Sequence, residues 1–422
     1  MASQLERSAS TVRESMAAFQ RSASSVKLDC SSTPILQRTN SMLSSETKLK
    51  AAPSTLVKDQ VANPAIRNRN VVIGLLSCLL ILAVSWHSMS PEGVPADSFD
   101  AGSGQSAWSH GGRAMPYKEF VQKSLVGGMK FLVQDPQIKM TYHNGPLLTG
   151  TGGVLKVNVI FYGGWSEKQK AILTDFVRSF SSPKPRTLFP TVAGWWAILK
   201  NYKDSKKVPV AATVTLGKVY TDSKYSLKKS LAESDIEKLV VASLNSTGVD
   251  PNAVYLVLTS ADVGVQGFCS SLCGTHSWTR SPATQHKVLP FVWVGNPATQ
   301  CPGHCAWPYA KAEYGAGPNT APLKAPNGDV GVDGMCISIA GLLAGAATNP
   351  RNNGYYQGGA LDPLEVATVC GGIYGEGAYP GYAGKILKDR NGASYNVNGV
   401  NGRKYLVPFV FDLRTKKCGL QG

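Results

Sequence analysis

An α/β domain, with a mixed sheet flanked by helices, is the fold class this sequence predicts, on three observations. Apolar runs of strand length alternate with amphipathic helical segments between residues 154 and 260. Two of the helical segments carry a Ser followed three residues later by Gln or Glu, the pattern of a capping box. Beyond residue 300 the chain becomes Gly- and Tyr-rich, with GGIYGEGAYPGYAG its densest patch, so the C-terminal half is expected to be loop-heavy.

The first strand is VLKVNVIFY (154–162), in which Val157, Val159 and Phe161 share one face. Ser166 and Gln169 then open a helix through WSEKQKAILTDFVRSFSS, whose stripe is Ile172, Leu173, Phe176, Val177 and Phe180. VPVAATVTLGKVY (208–220) reads as a second strand. SDIEKLVVASLNS (234–246) reads as a helix capped by Ser234 with Glu237, burying Ile236, Leu239, Val240 and Leu244. AVYLVLTS (253–260) is a continuous apolar run, hence a central strand covered on both faces, and VLPFVWVGN (288–296) is a further strand. The α/β core is placed at residues 116–422.

The N-terminal part differs. Residues 1–70 are Ser-rich, carry 10 Lys or Arg against 5 Asp or Glu, and show no sustained apolar period, so they read as a disordered tail. VVIGLLSCLLILAVSW (71–86) is uncharged and would form a helix of about 24 Å against a hydrocarbon core of about 30 Å. With Arg67 and Arg69 before it, segment 71–87 reads as a signal sequence or a type II anchor that leaves the remainder lumenal. Residues 88–115 read as a linker.

Over the whole chain 43 Lys and Arg face 27 Asp and Glu, a net charge of +16, while 43% apolar content excludes disorder throughout. No basic helix, zinc-finger spacing or RNA-binding aromatic motif argues for nucleic acid. A basic chain in the secretory pathway points to acidic polysaccharide as a partner, the bland alternative being that the charge serves solubility. The membrane is expected as a partner only through residues 71–87, if they are not cleaved.

Of nine cysteines, Cys30 falls in the tail and Cys78 in the apolar run. CSSLC (269–273) and CPGHC (301–305) together offer four sulfurs, with His276 and His304 as further zinc candidates. In an oxidising lumen, disulfides are the expected outcome over zinc thiolates. Seven lumenal cysteines leave at least one unpaired within the chain.

HNGPLLTG at 143, YGGWS, CGTHS, WVGN, QCPGHCAWP, APNGDVGVDGM, NGYYQG, GAYPGYAG and NGVNGRKYL, in this order from about residue 115 to the C-terminus, resemble the plant EXORDIUM, or phosphate-induced, protein family. The resemblance implies an extracellular protein of the apoplast or cell wall, routed through the ER and Golgi and linked to brassinosteroid-responsive cell expansion. A single-pass type II form would follow if segment 71–87 is retained. It also implies that Cys336, where the family usually has an apolar residue, is the free thiol, and that Cys269, Cys273, Cys301, Cys305, Cys370 and Cys418 form three bridges of open connectivity.

Some members of that family read HELAE before an S/T-x-P segment, a helix that resembles the metal-binding helix of zincin peptidases. Aligned on Asn349-Pro350, the corresponding positions here are Gly341, Leu342 and Gly345, none able to hold a metal, with Glu365 where a further carboxylate ligand would sit. The segment is therefore either a zincin-like element with a degenerate site or an unrelated Ala/Leu/Gly core helix. No metal or other cofactor is expected from either, and no catalytic residue is assigned.

Other catalytic readings are weak. There is no G-x-S-x-G elbow. His276-Ser277 reads as a structural loop, and His143 and His304 as structural. Asp329 and Asp333, in NGDVGVDG, read as turn-makers rather than a calcium loop or glycosidase pair. Asn245 heads the sequon Asn245-Ser246-Thr247, at an exposed helix end. The leading expectation is a non-enzymatic wall protein. Its rival is a hydrolase of wall polysaccharide or peptide using Asp262, Asp329, Asp333 or Glu365.

Overall fold

The computed structural model describes residues 113–114, 138–181, 189–270, 272–312, 321–379 and 381–421. The tail, segment 71–87 and nearly all of the linker lie outside these residues, so the readings made for them stay with the sequence.

Six strands form the main sheet: β1 (Arg113–Ala114), β2 (Val154–Tyr162), β3 (Thr213–Asp222), β4 (Ala253–Thr259), β5 (Gly274–Thr279) and β6 (Leu289–Gly295). Their order across the sheet is β1-β5-β6-β4-β2-β3. β3, β2, β4 and β6 run parallel; β5 is antiparallel to β6, and β1 to β5. The sheet is thus mixed, as the alternation of strands and helices predicts. Every residue of β4 and β6 is buried, the mark of strands covered on both faces. In β2 the strand period divides the core. Val157, Val159 and Phe161 enter one apolar cluster, and Ile160 and Tyr162 another on the opposite face.

Helices α1 (Glu167–Ser179), α2 (Val192–Trp196) and α5 (Val330–Thr348) contribute to the first cluster; α3 (Glu233–Thr247) and the short α4 (Pro302–Cys305) belong to the second. The capping box of α1 forms as the sequence predicts. Gln169 N–H donates to Ser166 Oγ at 3.2 Å, and Ser166 N–H to Gln169 Oε1 at 3.1 Å. Its stripe is buried, with Phe176 against Phe180 and Tyr405 at ring separations of 5.2 and 4.6 Å. Trp195 and Trp196 of α2 are fully enclosed, and each indole N–H finds a carbonyl, of Pro408 at 2.7 Å and Ala211 at 2.8 Å.

Two helix starts differ from the sequence reading. α3 begins before Ser234: Ala232 is the cap residue, its N–H donating to Asp235 Oδ2 at 2.8 Å, so Asp235 takes the role assigned to Glu237. The NGDVGVDG stretch leads into α5 and supplies its cap and its first helical residues, from Val330. Asp329 caps it, accepting from Val332 N–H at 3.0 Å, and Asp333 lies inside the helix, so neither is a simple turn-maker. Glycines obscure this helix in the sequence because each costs about 1 kcal/mol of propensity. Gly331, Gly334 and Gly345 remain because the helix lies so close to its neighbours there: a Cβ at Gly334 would come 2.7 Å from Ala306 Cβ. Among the described residues α5 is the one helix long and apolar enough to cross a membrane, and it is packed inside the domain.

The cysteines pair as Cys269–Cys301, Cys273–Cys305 and Cys370–Cys418. The first two link the CSSLC and CPGHC arms in register, each across 32 residues, and leave no thiolate there for zinc. Closing a loop of this size stabilises by on the order of 3–4 kcal/mol in the chain-entropy view. Cys336 is a free thiol buried in α5, and burial pushes its pKa well up, so it is a poor nucleophile. Alkylation without reduction, read by peptide mass, should leave all seven cysteines of this domain unmodified in the native protein and label Cys336 alone after denaturation. Labelling of any CSSLC or CPGHC cysteine would contradict the pairing.

Candidate functional site

The C-terminal half of α5 crosses β5, and at the crossing lies a buried polar cluster in an otherwise apolar interior. His276 sits in β5, not in a loop as its sequence context suggested, and is 1% exposed. Its Nε2 lies 2.9 Å from both carboxylate oxygens of Glu365, itself 3% exposed. Asn349, the last residue associated with α5, donates its side-chain N–H to Glu365 Oε1 at 2.7 Å and accepts from Gly354 N–H at 2.8 Å. The carboxylate thus has partners for both oxygens, the condition under which a buried charge is tolerated.

Gly345 faces this pair. A Cβ there would meet Glu365 Oε2 at 2.4 Å and His276 Nε2 at 3.1 Å, so the glycine is what lets the carboxylate and imidazole close over the helix. Gly341, one turn earlier, faces Ala367 and Pro408 at ordinary contact distance, and Leu342 is buried in the apolar core. Of the four degenerate positions named from sequence, the structure brings Gly345 and Glu365 together, with His276 between them and the rest of the sheet. Among the described residues no group of three or more His, Cys, Asp or Glu side chains is arranged to hold a metal.

Beside this cluster the same elements open into a cleft of about 190 Å³. Trp278, two residues beyond His276 and on the same face of β5, forms one wall. Pro350 and Arg351, leaving α5, form another, and Thr149 and Gly150 of the HNGPLLTG segment a third. That segment is laced to the exit of α5: His143 N–H donates to Gly354 O at 2.8 Å, Gly145 N–H to Asn353 O at 2.6 Å and Leu148 N–H to Ala347 O at 3.0 Å. The His143 ring stacks on Tyr356 at 3.7 Å, a structural role, and Tyr142 on Tyr355 at 4.6 Å. Arg351 has no hydrogen-bond or ion-pair partner among the described residues. Desolvation in the cleft wall, and secondarily the Arg280 guanidinium, pull its pKa below the ordinary arginine value, although it stays charged.

The remaining sequence candidates are dispersed. Asp262 lies beyond the end of β4, where Lys229, Ser260 and Tyr225 engage it at 2.6, 2.6 and 2.8 Å; Lys229 first, then Ser260, hold its carboxyl well below the usual range, so it cannot serve as an acid. Asp329 Oδ2 accepts from Gln169. Asp333 is buried, its oxygens accepting from the backbone and side chain of Asn327 at 2.9 and 2.6 Å; desolvation, aided by Asp329, pushes its pKa up to about 6. His304 Nδ1 is 3.0 Å from Cys269 O, within the stapled loops. Asn245 is exposed near the end of α3. Sequence reasoning missed Trp278 and Arg351 and the pairing of His276 with Glu365. The signal was faint: a Trp closing a strand, and an Arg just after an apolar helix.

Two outcomes test this description. Gly345→Ala should destabilise the protein by about 1–3 kcal/mol, because the hydrogen-bonded Glu365 cannot give way, whereas Gly341→Ala should be neutral or stabilising by up to about 1 kcal/mol. Urea denaturation of the two variants decides. For Asp333, the folded-state pKa of about 6 exceeds the value of 3.8 for a free Asp. Its contribution is fully present below the lower value and is lost as pH rises through the upper one, on the order of 3 kcal/mol in all. Asp333→Asn should flatten that segment of the curve of melting temperature against pH, whatever its effect on absolute stability.

Residues 140–421 match the family described as Phosphate-induced protein 1 conserved region. The chain is 47% identical over 291 residues to Protein PHOSPHATE-INDUCED 1 of Nicotiana tabacum, covering 68% of this chain and 90% of that protein. It is 46% identical to Protein EXORDIUM-like 1 of Arabidopsis thaliana over 282 residues, 66% of this chain and 88% of the relative, and 47% identical to Protein EXORDIUM of the same plant over 286 residues, with the same two shares. No solved structure matches. With a family match spanning most of the chain and these relatives covered nearly end to end, the protein belongs to the EXORDIUM, or phosphate-induced, family.

Proposed function

We propose that this protein is a secreted or membrane-tethered, wall-associated factor of the plant apoplast that promotes cell expansion in brassinosteroid-responsive growth and acts by binding rather than by catalysis. The observation that carries this reading is the cleft. Among the described residues its lining includes a Trp and an Arg without an ion-pair partner but no carboxylate, His or Cys, so these have the groups to hold an anionic, ring-shaped ligand and do not include the pair of carboxylates a glycosidase places across its substrate. The carboxylates of the hydrolase reading support binding equally: Asp262 is ion-paired, Asp329 caps a helix, and Asp333 and Glu365 are buried with their hydrogen bonds satisfied.

Other features favour the same setting. The three disulfides and the exposed sequon at Asn245 suit an oxidising, glycosylating route, and the net charge of +11 beyond residue 87, 33 Lys and Arg against 22 Asp and Glu, suits a polyanionic wall. The purified protein should be retained on pectin or hemicellulose at low salt and released as salt is raised. No retention on either polymer at low salt would sink the wall-binding reading.

A further inference from the structure

Arg351, in the cleft wall, is a cation without a counter-ion among the described residues. Arg351 is exposed to water on its outer side, while the cleft wall and the nearby Arg280 charge disfavour its cation, a modest cost that a bound anion would relieve. Its surroundings define the shape of that anion. Trp278 offers aromatic surface, Pro290 and Pro350 add rigid apolar surface, and Thr149 and Asn252 add short polar side chains to the lining. At about 190 Å³ the cleft is smaller than the roughly 300–1,000 Å³ of sites for drug-sized ligands, which suits one ring rather than an extended oligomer.

We propose that this cleft is a subsite for a single uronate residue, whose carboxylate lies on Arg351, with Arg280 behind it, and whose sugar face lies on Trp278. The inference rests on the wall-binding reading and adds to it the ligand class and the residues. An inorganic anion would satisfy Arg351 but leave the Trp and Pro surface unused; a neutral sugar would use that surface and leave the guanidinium unpaired. Of these three an acidic sugar uses both, and it is the one that fits the wall-binding reading. The bland account of Arg351 is that it offsets the carbonyl end of the α5 dipole, a role worth less than about 1 kcal/mol at an exposed site. That role would not depend on any ligand.

The experiment uses the full disulfide-bonded protein, with trigalacturonate, its methyl ester and inorganic phosphate as probes, binding being followed by tryptophan fluorescence and calorimetry at low salt. Trigalacturonate should bind, the ester should bind at least about tenfold more weakly, and phosphate should not displace the trisaccharide at equal concentration. Arg351→Gln should abolish the preference for acid over ester, Arg351→Lys should keep part of it, and Trp278→Ala should weaken acid and ester alike. Trp278→Phe provides a second variant in case the Ala form folds poorly. Equal affinity of the wild type and Arg351→Gln for trigalacturonate, even with a lowered melting temperature in the variant, would assign Arg351 to the helix dipole and overturn the proposal. Displacement by phosphate would overturn it too. If the wild type and both Arg351 variants are equally retained on pectin, the cleft is wrong and the wall-binding reading stands; if none is retained, the wall-binding reading itself fails.

Discussion

The close approach of α5 to β5 and the CPGHC loop is the constraint on which the rest of the domain depends. An apolar helix of 19 residues could sit against a sheet at ordinary spacing with larger side chains. Here Gly334 and Gly345 remove the side chains that would hold it off, so backbone meets Ala306 at one end and the Glu365 carboxylate at the other. Helix propensity is given up along α5, and apolar burial, with dispersion contacts at crystal-like density, offsets the loss. Because both ends are fixed this way, the segment leaving the helix emerges in one direction, against the HNGPLLTG ribbon, and the cleft forms where they meet.

Burying a histidine and a glutamate at that crossing is the costly part of the arrangement. Glu365 compensates by engaging His276 and Asn349 through both oxygens, which holds the Nε2 side of the His276 ring, while its buried Nδ1 has no partner among the described residues. Polar groups here specify geometry more than they add stability. Replacing such a pair by apolar side chains is often neutral for folding, whereas removing one partner is not.

Much of the scaffold was legible in the sequence, for physical reasons. The strand at 154–162 and the box at Ser166 and Gln169 are local signals, written in alternation and capping chemistry, and the structure places them where those rules do. The start of α5 was hidden because Gly and Asp are turn residues locally and become helical only when tertiary contacts favour them, as Ala306 does at Gly334. Asp235 took the place of Glu237 as the side chain accepting from the cap N–H because helix ends shift by a residue or two at little local cost. The candidate site was the least legible part. His276 and Glu365 are separated by 89 residues, and nothing in either neighbourhood marks the other. Arg351 stands out only once the absence of a partner among the described residues can be seen.

The two cysteine arms give the domain a property of a different kind. Cys269 and Cys273 precede β5, Cys301 and Cys305 follow β6, and the bridges join them as two rungs of one ladder. A single bridge would let the two arms swivel about it; two rungs in register fix their orientation as well as their separation. The β5–β6 hairpin is therefore a closed covalent ring, clamped at its open end. A proteolytic cut within the hairpin would leave both pieces attached, and β5, with Trp278 at its far end, would stay tethered to α4 and so to the start of α5. Tolerance of nicking within the hairpin is the consequence.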